Sequence, residues 1–192
     1  MKRLLAWLHG FAATYRVHIT FAVMGALLLN MWREGRLPRD PADLSDPVAL
    51  WGVVLALVGV AVRSWAAGLL RKSETVVDVG PYSLTRHPLY VGSALMALGI
   101  GLVLGDWRVV AALLAIFLLV YLPRIQYEEG FLADLFPSDW PAYKERTGLF
   151  WPRTLRPALR AGWSAAVWLH NREYKAALTV LAVLVILHFI AR

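Results

Sequence analysis

The chain has 192 residues, of which 59% are hydrophobic and only 17% charged; soluble domains usually carry about a quarter charged residues, so a membrane protein is expected. The net charge of +7 does not point to nucleic acid, because most basic residues sit in loops beside apolar stretches, the usual bias of an inner membrane face. Cysteine is absent, which excludes disulfides, thiolate metal sites and a cysteine nucleophile, and the histidines show no ligand-pair spacing, so no metal site is expected.

Residues 1–16 begin with Lys2-Arg3 and a short apolar run broken by His9, Gly10 and Arg16. No small-residue cleavage site precedes the next span, so an uncleaved interfacial helix on the cytoplasmic side is expected. Residues 17–32 form a first hydrophobic span, and residues 33–47 a loop containing Pro and Asp. Val48 to Leu70 make the longest span, interrupted only by Arg63-Ser64. At ~1.5 Å per residue such a helix crosses ~30 Å of hydrocarbon. Arg63 near its lower end can snorkel or face a polar site, and snorkelling is the simpler expectation.

Pro88–Leu104 and Trp107–Leu122 give two further spans separated only by Gly105-Asp106, so they must form an antiparallel helical hairpin. The run Gly99-Ile-Gly101-Leu-Val-Leu-Gly105 superficially resembles a dinucleotide loop. It lies inside an apolar helix with no strand before it, which favours small-residue helix packing. Residues 123–152 are polar, aromatic and punctuated by prolines, too long for an idle connector. Within them Arg124 and Glu128 lie one helical turn apart, with Glu129 adjacent; at its blandest this is a surface ion pair. Residues 154–174 read as an interfacial amphipathic helix, and residues 175–191 as a fifth span carrying His188. Loop charges put the N-terminus inside and Arg192 outside. Both polar blocks, 80–90 and 124–152, then face the cytoplasm and can share one site.

The first block contains Gly80-Pro-Tyr82 and Arg86-His87-Pro88-Leu-Tyr90. Pro88 suits the first position of a helix, and the N–H groups there, with the helix dipole, can meet an anion. Together with Arg124-Ile-Gln-Tyr-Glu128-Glu129, Phe136, Trp140, Tyr143 and Pro152, the pattern resembles the isoprenylcysteine carboxyl methyltransferases and the related membrane phospholipid methyltransferases. The resemblance covers residues 74–152. Phe136-Pro137 and Leu149-Phe150-Trp151-Pro152 depart from the usual pattern, at its substrate end.

The resemblance implies one all-α, integral-membrane methyltransferase domain over residues 1–192, with about five transmembrane helices. Its cytoplasmic-side polar pocket, within residues 74–152, takes S-adenosylmethionine. The cofactor-binding positions it implies are Glu74, Thr75, Val76, Val77, Tyr82, His87, Pro88, Leu89, Tyr90 and Glu128, with Arg124 facing the substrate. The residue chemistry agrees: His87 suits the cofactor carboxylate, Tyr82 or Tyr90 the adenine or sulfonium, and Glu128 the ammonium or ribose hydroxyls. An anionic acceptor needs only orientation by Arg124, whereas an amine acceptor needs a base, Glu128 or Glu129. The acceptor is expected to be lipidic and to enter from the bilayer. Two other readings are a nicotinamide-dependent sterol-type reductase and a non-enzymatic membrane scaffold whose basic loops anchor headgroups.

Overall fold

The structure, a computed structural model, describes residues 18, 22–71, 74–153 and 162–192. The interfacial helix expected over 1–16, and residues 154–161 of the one expected over 154–174, lie outside these residues. Among the described residues every regular element is helical; the only extended pairing is an isolated bridge between Thr85 and Gly148.

Helix α1 occupies 22–33, and a loop leads to α2, Pro47–Ala67. The sequence Asp46-Pro47 starts α2: the Asp46 carboxylate accepts the N–H groups of Val48 (2.9 Å) and Ala49 (3.2 Å), and Pro47 occupies a position that needs no N–H. A short 3₁₀ turn, Gly80–Ser83, precedes α3, Pro88–Leu104. The hairpin expected after α3 is present. Gly105 closes α3 at φ 72°, a conformation glycine adopts without a Cβ penalty, and Asp106 caps α4, Trp107–Ile116, through the Arg108 N–H at 2.9 Å.

The helix that begins at Trp107 does not stop at Leu122 as expected. It runs unbroken for 29 residues to Leu135. Pro123 would normally kink or end it, because its ring clashes with a carbonyl one turn back. Here a π-helical segment, Phe117–Tyr121, widens the turn just before it, and the Leu122 N–H bonds the Phe117 carbonyl five residues back. Helix α5, Leu122–Leu135, follows. Helices α6 (Trp140–Arg146), α7 (Ala165–His170) and α8 (Tyr174–Ile190) complete the described chain.

Helices α2 and α3 pack through small residues. A Cβ at Gly99 would lie 2.4 Å from the Gly52 carbonyl, and one at Gly59 2.6 Å from the Gly92 carbonyl. Gly101 instead faces α4, where a Cβ would meet Val110 at 3.1 Å. The glycine run is thus a packing surface, as expected, while Gly105 serves the turn. The cluster Met31, Val103, Leu104, Val109 and Leu187 ties α1, α3, α4 and α8 together at the hairpin end. That end is also polar: Arg108 pairs with Glu34 and Asp106, both at 2.7 Å, Arg39 with Asp46 at 2.6 Å, and His188 with Asp40 at 2.6 Å.

Two helices are long and apolar enough to cross a membrane, Pro47–Ala67 and Trp107–Leu135; Pro88–Leu104 and Tyr174–Ile190 are apolar but have 17 residues each. Trp51, Leu57, Leu119, Leu178 and Phe189 all point outward from these helices.

Candidate functional site

At the end opposite the hairpin the two polar blocks meet. Arg86 is the chief link: its Nε bonds Glu129 on α5 at 2.6 Å, and its Nη1 donates to the Thr147 carbonyl at 2.5 Å. Its backbone N–H donates to the Gly148 carbonyl at 2.9 Å, and the Thr85 hydroxyl to the Leu149 carbonyl at 2.6 Å. The buried Tyr143 hydroxyl crosses the same seam to the Tyr82 carbonyl at 2.9 Å. Short backbone and charge-assisted bonds of this kind fix register between segments about sixty residues apart.

Between the blocks lies a cavity of about 670 Å³. Of the positions expected to form the site, Thr75, Val76, Val77, Tyr82, His87, Pro88, Leu89, Tyr90, Arg124 and Glu128 line it. Tyr90 donates its hydroxyl to Glu128 at 3.1 Å, joining the first turn of α3 to α5. Its ring meets His87 and Tyr121 edge-on, at centroid separations of 5.7 Å and 6.2 Å. The Arg124 guanidinium lies 5.2 Å over the Tyr127 ring and forms no ion pair with Glu128 among the described residues, so the bland surface pair does not occur.

Two expected positions lie outside this wall. Glu74 borders a separate cavity of about 490 Å³ next to Val167, His170 and Asn171. Glu129 sits behind the wall, held by Arg86, by Lys144 at 3.2 Å and by His87 Nε2 at 3.3 Å. The N–H groups at the start of α3 are also less free than expected. The His87 N–H is taken by the Thr85 hydroxyl at 3.3 Å and the Tyr90 N–H by the His87 carbonyl at 3.0 Å.

The structure adds residues that the sequence reading left out of the site. Tyr121, Ser93, Phe131, Leu132, Trp140 and Tyr143 line the cavity. Arg63 does too, and it does not snorkel. It turns inward to Glu173, at 3.0 Å through Nη2, and to Ser93 at 2.5 Å. An arginine that interrupts an apolar span four residues before its end was the available signal; its partner is 110 residues away.

One wall atom stands out. The Tyr82 side chain is buried, and its hydroxyl has no hydrogen-bond partner among the described residues. Burial pushes its phenol well above the usual tyrosine range, so the group stays a donor. A buried polar atom without a partner costs stability unless something binds it. No group of three or more metal-ligating side chains occurs among the described residues.

The model of the phospholipid methyltransferase family matches residues 48–139, which contain both halves of this wall apart from Trp140 and Tyr143. The chain is 40% identical over 141 residues to the cobalt-zinc-cadmium resistance protein CzcN of Cupriavidus metallidurans; the match covers 72% of this chain and 62% of that protein. It is 38% identical over 151 residues to the nickel-cobalt-cadmium resistance protein NccN of Alcaligenes xylosoxydans xylosoxydans, covering 76% of this chain and 68% of that protein. No solved structure matches the chain.

Proposed function

The chain belongs to the phospholipid methyltransferase family, and on that premise we propose that it is an S-adenosylmethionine-dependent methyltransferase of the membrane, acting on a lipidic acceptor. The observation that carries this reading is the cavity itself. It lies where both motif blocks converge, is of a size suited to a nucleoside-bearing ligand, and holds an unpartnered buried donor, Tyr82. Three features of the wall suit this cofactor: a phenol donor, the Tyr90–Glu128 pair and aromatic faces at Tyr90 and Tyr121.

When bound, S-adenosylmethionine supplies an electrophilic methyl group whose transfer neutralises a sulfonium. The protein's task is then to position and to exclude water rather than to supply a strong acid. Glu128 and Tyr90 hold the cofactor's polar groups at the α3–α5 junction. Arg124, with no carboxylate partner among the described residues, is left to orient an anionic group of the acceptor. An amine acceptor would pass its proton to Glu128, because Glu129 is engaged by cationic partners behind the wall. The outward apolar side chains of α2, α4 and α8 fit a lipid surround. Five spans with the cavity at the cytoplasmic face and Arg192 outside remain our assignment.

The test is calorimetric titration of the purified chain in detergent. S-adenosylmethionine is expected to bind and NADPH is not, and Tyr90→Ala should abolish the binding. NADPH binding would favour the reductase reading, and binding of neither would favour the scaffold. Acceptor profiling of lipid extracts with methyl-labelled cofactor then identifies the product. A second reading follows from the names of the two relatives, in which the same methyl transfer serves heavy-metal resistance. Cadmium tolerance of cells carrying the protein or its Glu128→Gln variant tests it.

A further inference from the structure

We propose that Glu173, which lies outside the cavity wall and beyond the family-matched region, is the charge-compensating and positioning residue that lets the cavity accept a cationic cofactor. The inference rests on the reading that S-adenosylmethionine binds there.

Arg63 makes the connection. Its Nε and Nη2 form a two-point pair with the Glu173 carboxylate. Its Nη1 donates to the Leu89 carbonyl at 3.1 Å and the Ser93 hydroxyl at 2.5 Å, both on α3. Residue 92 is a glycine at the place where a Cβ would lie 2.5 Å from the Arg63 Cγ, so α3 leaves room for the arginine stem. Glu173 is only 6% exposed at the start of α8. A carboxylate buried so deeply is tolerated only with a close cationic partner. The clamp therefore joins α2, α3 and α8 beside Tyr90, the residue that meets Glu128.

The wall's charge balance gives the clamp a second role. Arg63, Arg71, Arg86 and Arg124 line the cavity, against one wall carboxylate, Glu128. Glu129 compensates Arg86 from behind, and Glu173 does the same for Arg63. S-adenosylmethionine carries a sulfonium and an ammonium against one carboxylate, whereas its demethylated product lacks the sulfonium charge. An uncompensated guanidinium at Arg63 would repel the first more than the second, and a low-dielectric wall screens that repulsion poorly.

The experiment compares the two ligands on the full chain in detergent by calorimetry. Glu173→Gln, equal in shape but neutral, is expected to weaken S-adenosylmethionine about tenfold or more, and the demethylated product no more than about threefold. Glu173→Asp should keep the wild-type preference. Equal weakening of both ligands, or none, would reduce Glu173 to a structural residue and overturn the inference while leaving the proposed function standing. Should Glu173→Gln not fold, the double variant Arg63→Gln/Glu173→Gln replaces it. With both charges gone the wild-type preference should return, and selective loss of S-adenosylmethionine would overturn the inference. Binding of neither ligand by the unaltered chain removes the premise, and the inference with it.

Discussion

Tyr82 and Arg124 are wall residues whose unmet bonding capacity separates ligand binding from stability. The Tyr82 hydroxyl is buried without a partner among the described residues, so its removal should not harm the ligand-free fold. Tyr82→Phe is expected to leave the melting temperature unchanged or slightly higher while weakening S-adenosylmethionine about fivefold, the worth of one hydrogen bond. Thermal unfolding and titration on one preparation check both signs. Arg124 lines the cavity, and its guanidinium lies over the Tyr127 ring with no carboxylate partner among the described residues. Arg124→Lys keeps the charge but loses the planar fork. Turnover should fall ~10²-fold or more, as for misplaced reactants, with cofactor affinity changed by less than about threefold. Turnover near wild type would remove Arg124 from the acceptor side, and lost affinity would move it to the cofactor.

At the scale of elements, the α2–α3 pair is the frame from which the site hangs, and glycines set its spacing. At Gly99 an added methyl would meet the backbone of Gly52 and Ala56, at 2.4 Å and 2.5 Å, neither of which can rotate away. At Gly101 its nearest neighbours would be side-chain ends of Val110 and Leu113, at 3.1 Å and 3.3 Å, with backbone no nearer than 3.9 Å. Gly25 on α1 has nothing within 4 Å. Gly99→Ala should therefore cost about 1–3 kcal/mol, Gly101→Ala distinctly less, and Gly25→Ala nothing or a slight gain. Melting temperatures in detergent should follow that order, and equal effects at 25 and 99 would mean that α2 and α3 do not touch there.

The whole molecule has two polar ends with different duties. The cavity end holds arginines that line a wall, whereas the hairpin end is an ion-pair network among Glu34, Asp106, Arg36 and Arg108. Hydrogen bonds from Arg108 hold the Glu34 carboxyl down from its ordinary value near 4.5 to about 2, and hold Asp106 below the usual range as well. Both folded-state values lie below the unfolded ones. Their contribution is therefore complete above the unfolded value and fades as pH falls through the folded one. Melting temperature should decline between about pH 4.5 and pH 2. Arg108→Leu should lower stability at neutral pH and flatten that acid limb, and an unchanged limb would mean other carboxylates dominate it.

Much of this arrangement is decided locally and can be read along the chain. Apolar runs fix the helices, Asp46-Pro47 and Gly105-Asp106 fix where they begin and turn, and the Gly80–Tyr90 and Arg124–Glu128 patterns mark the wall and the family. Helix periodicity, capping and small-residue spacing act over one to a few turns, so sequence carries them directly. What the sequence could not decide are contacts across distance. Glu129 is drawn behind the wall by Arg86, and Glu74 falls into a neighbouring cavity. Arg63 faces inward because a carboxylate 110 residues away comes to meet it. An isolated arginine in an apolar helix is driven toward water; only tertiary packing can supply the buried anion that reverses that preference.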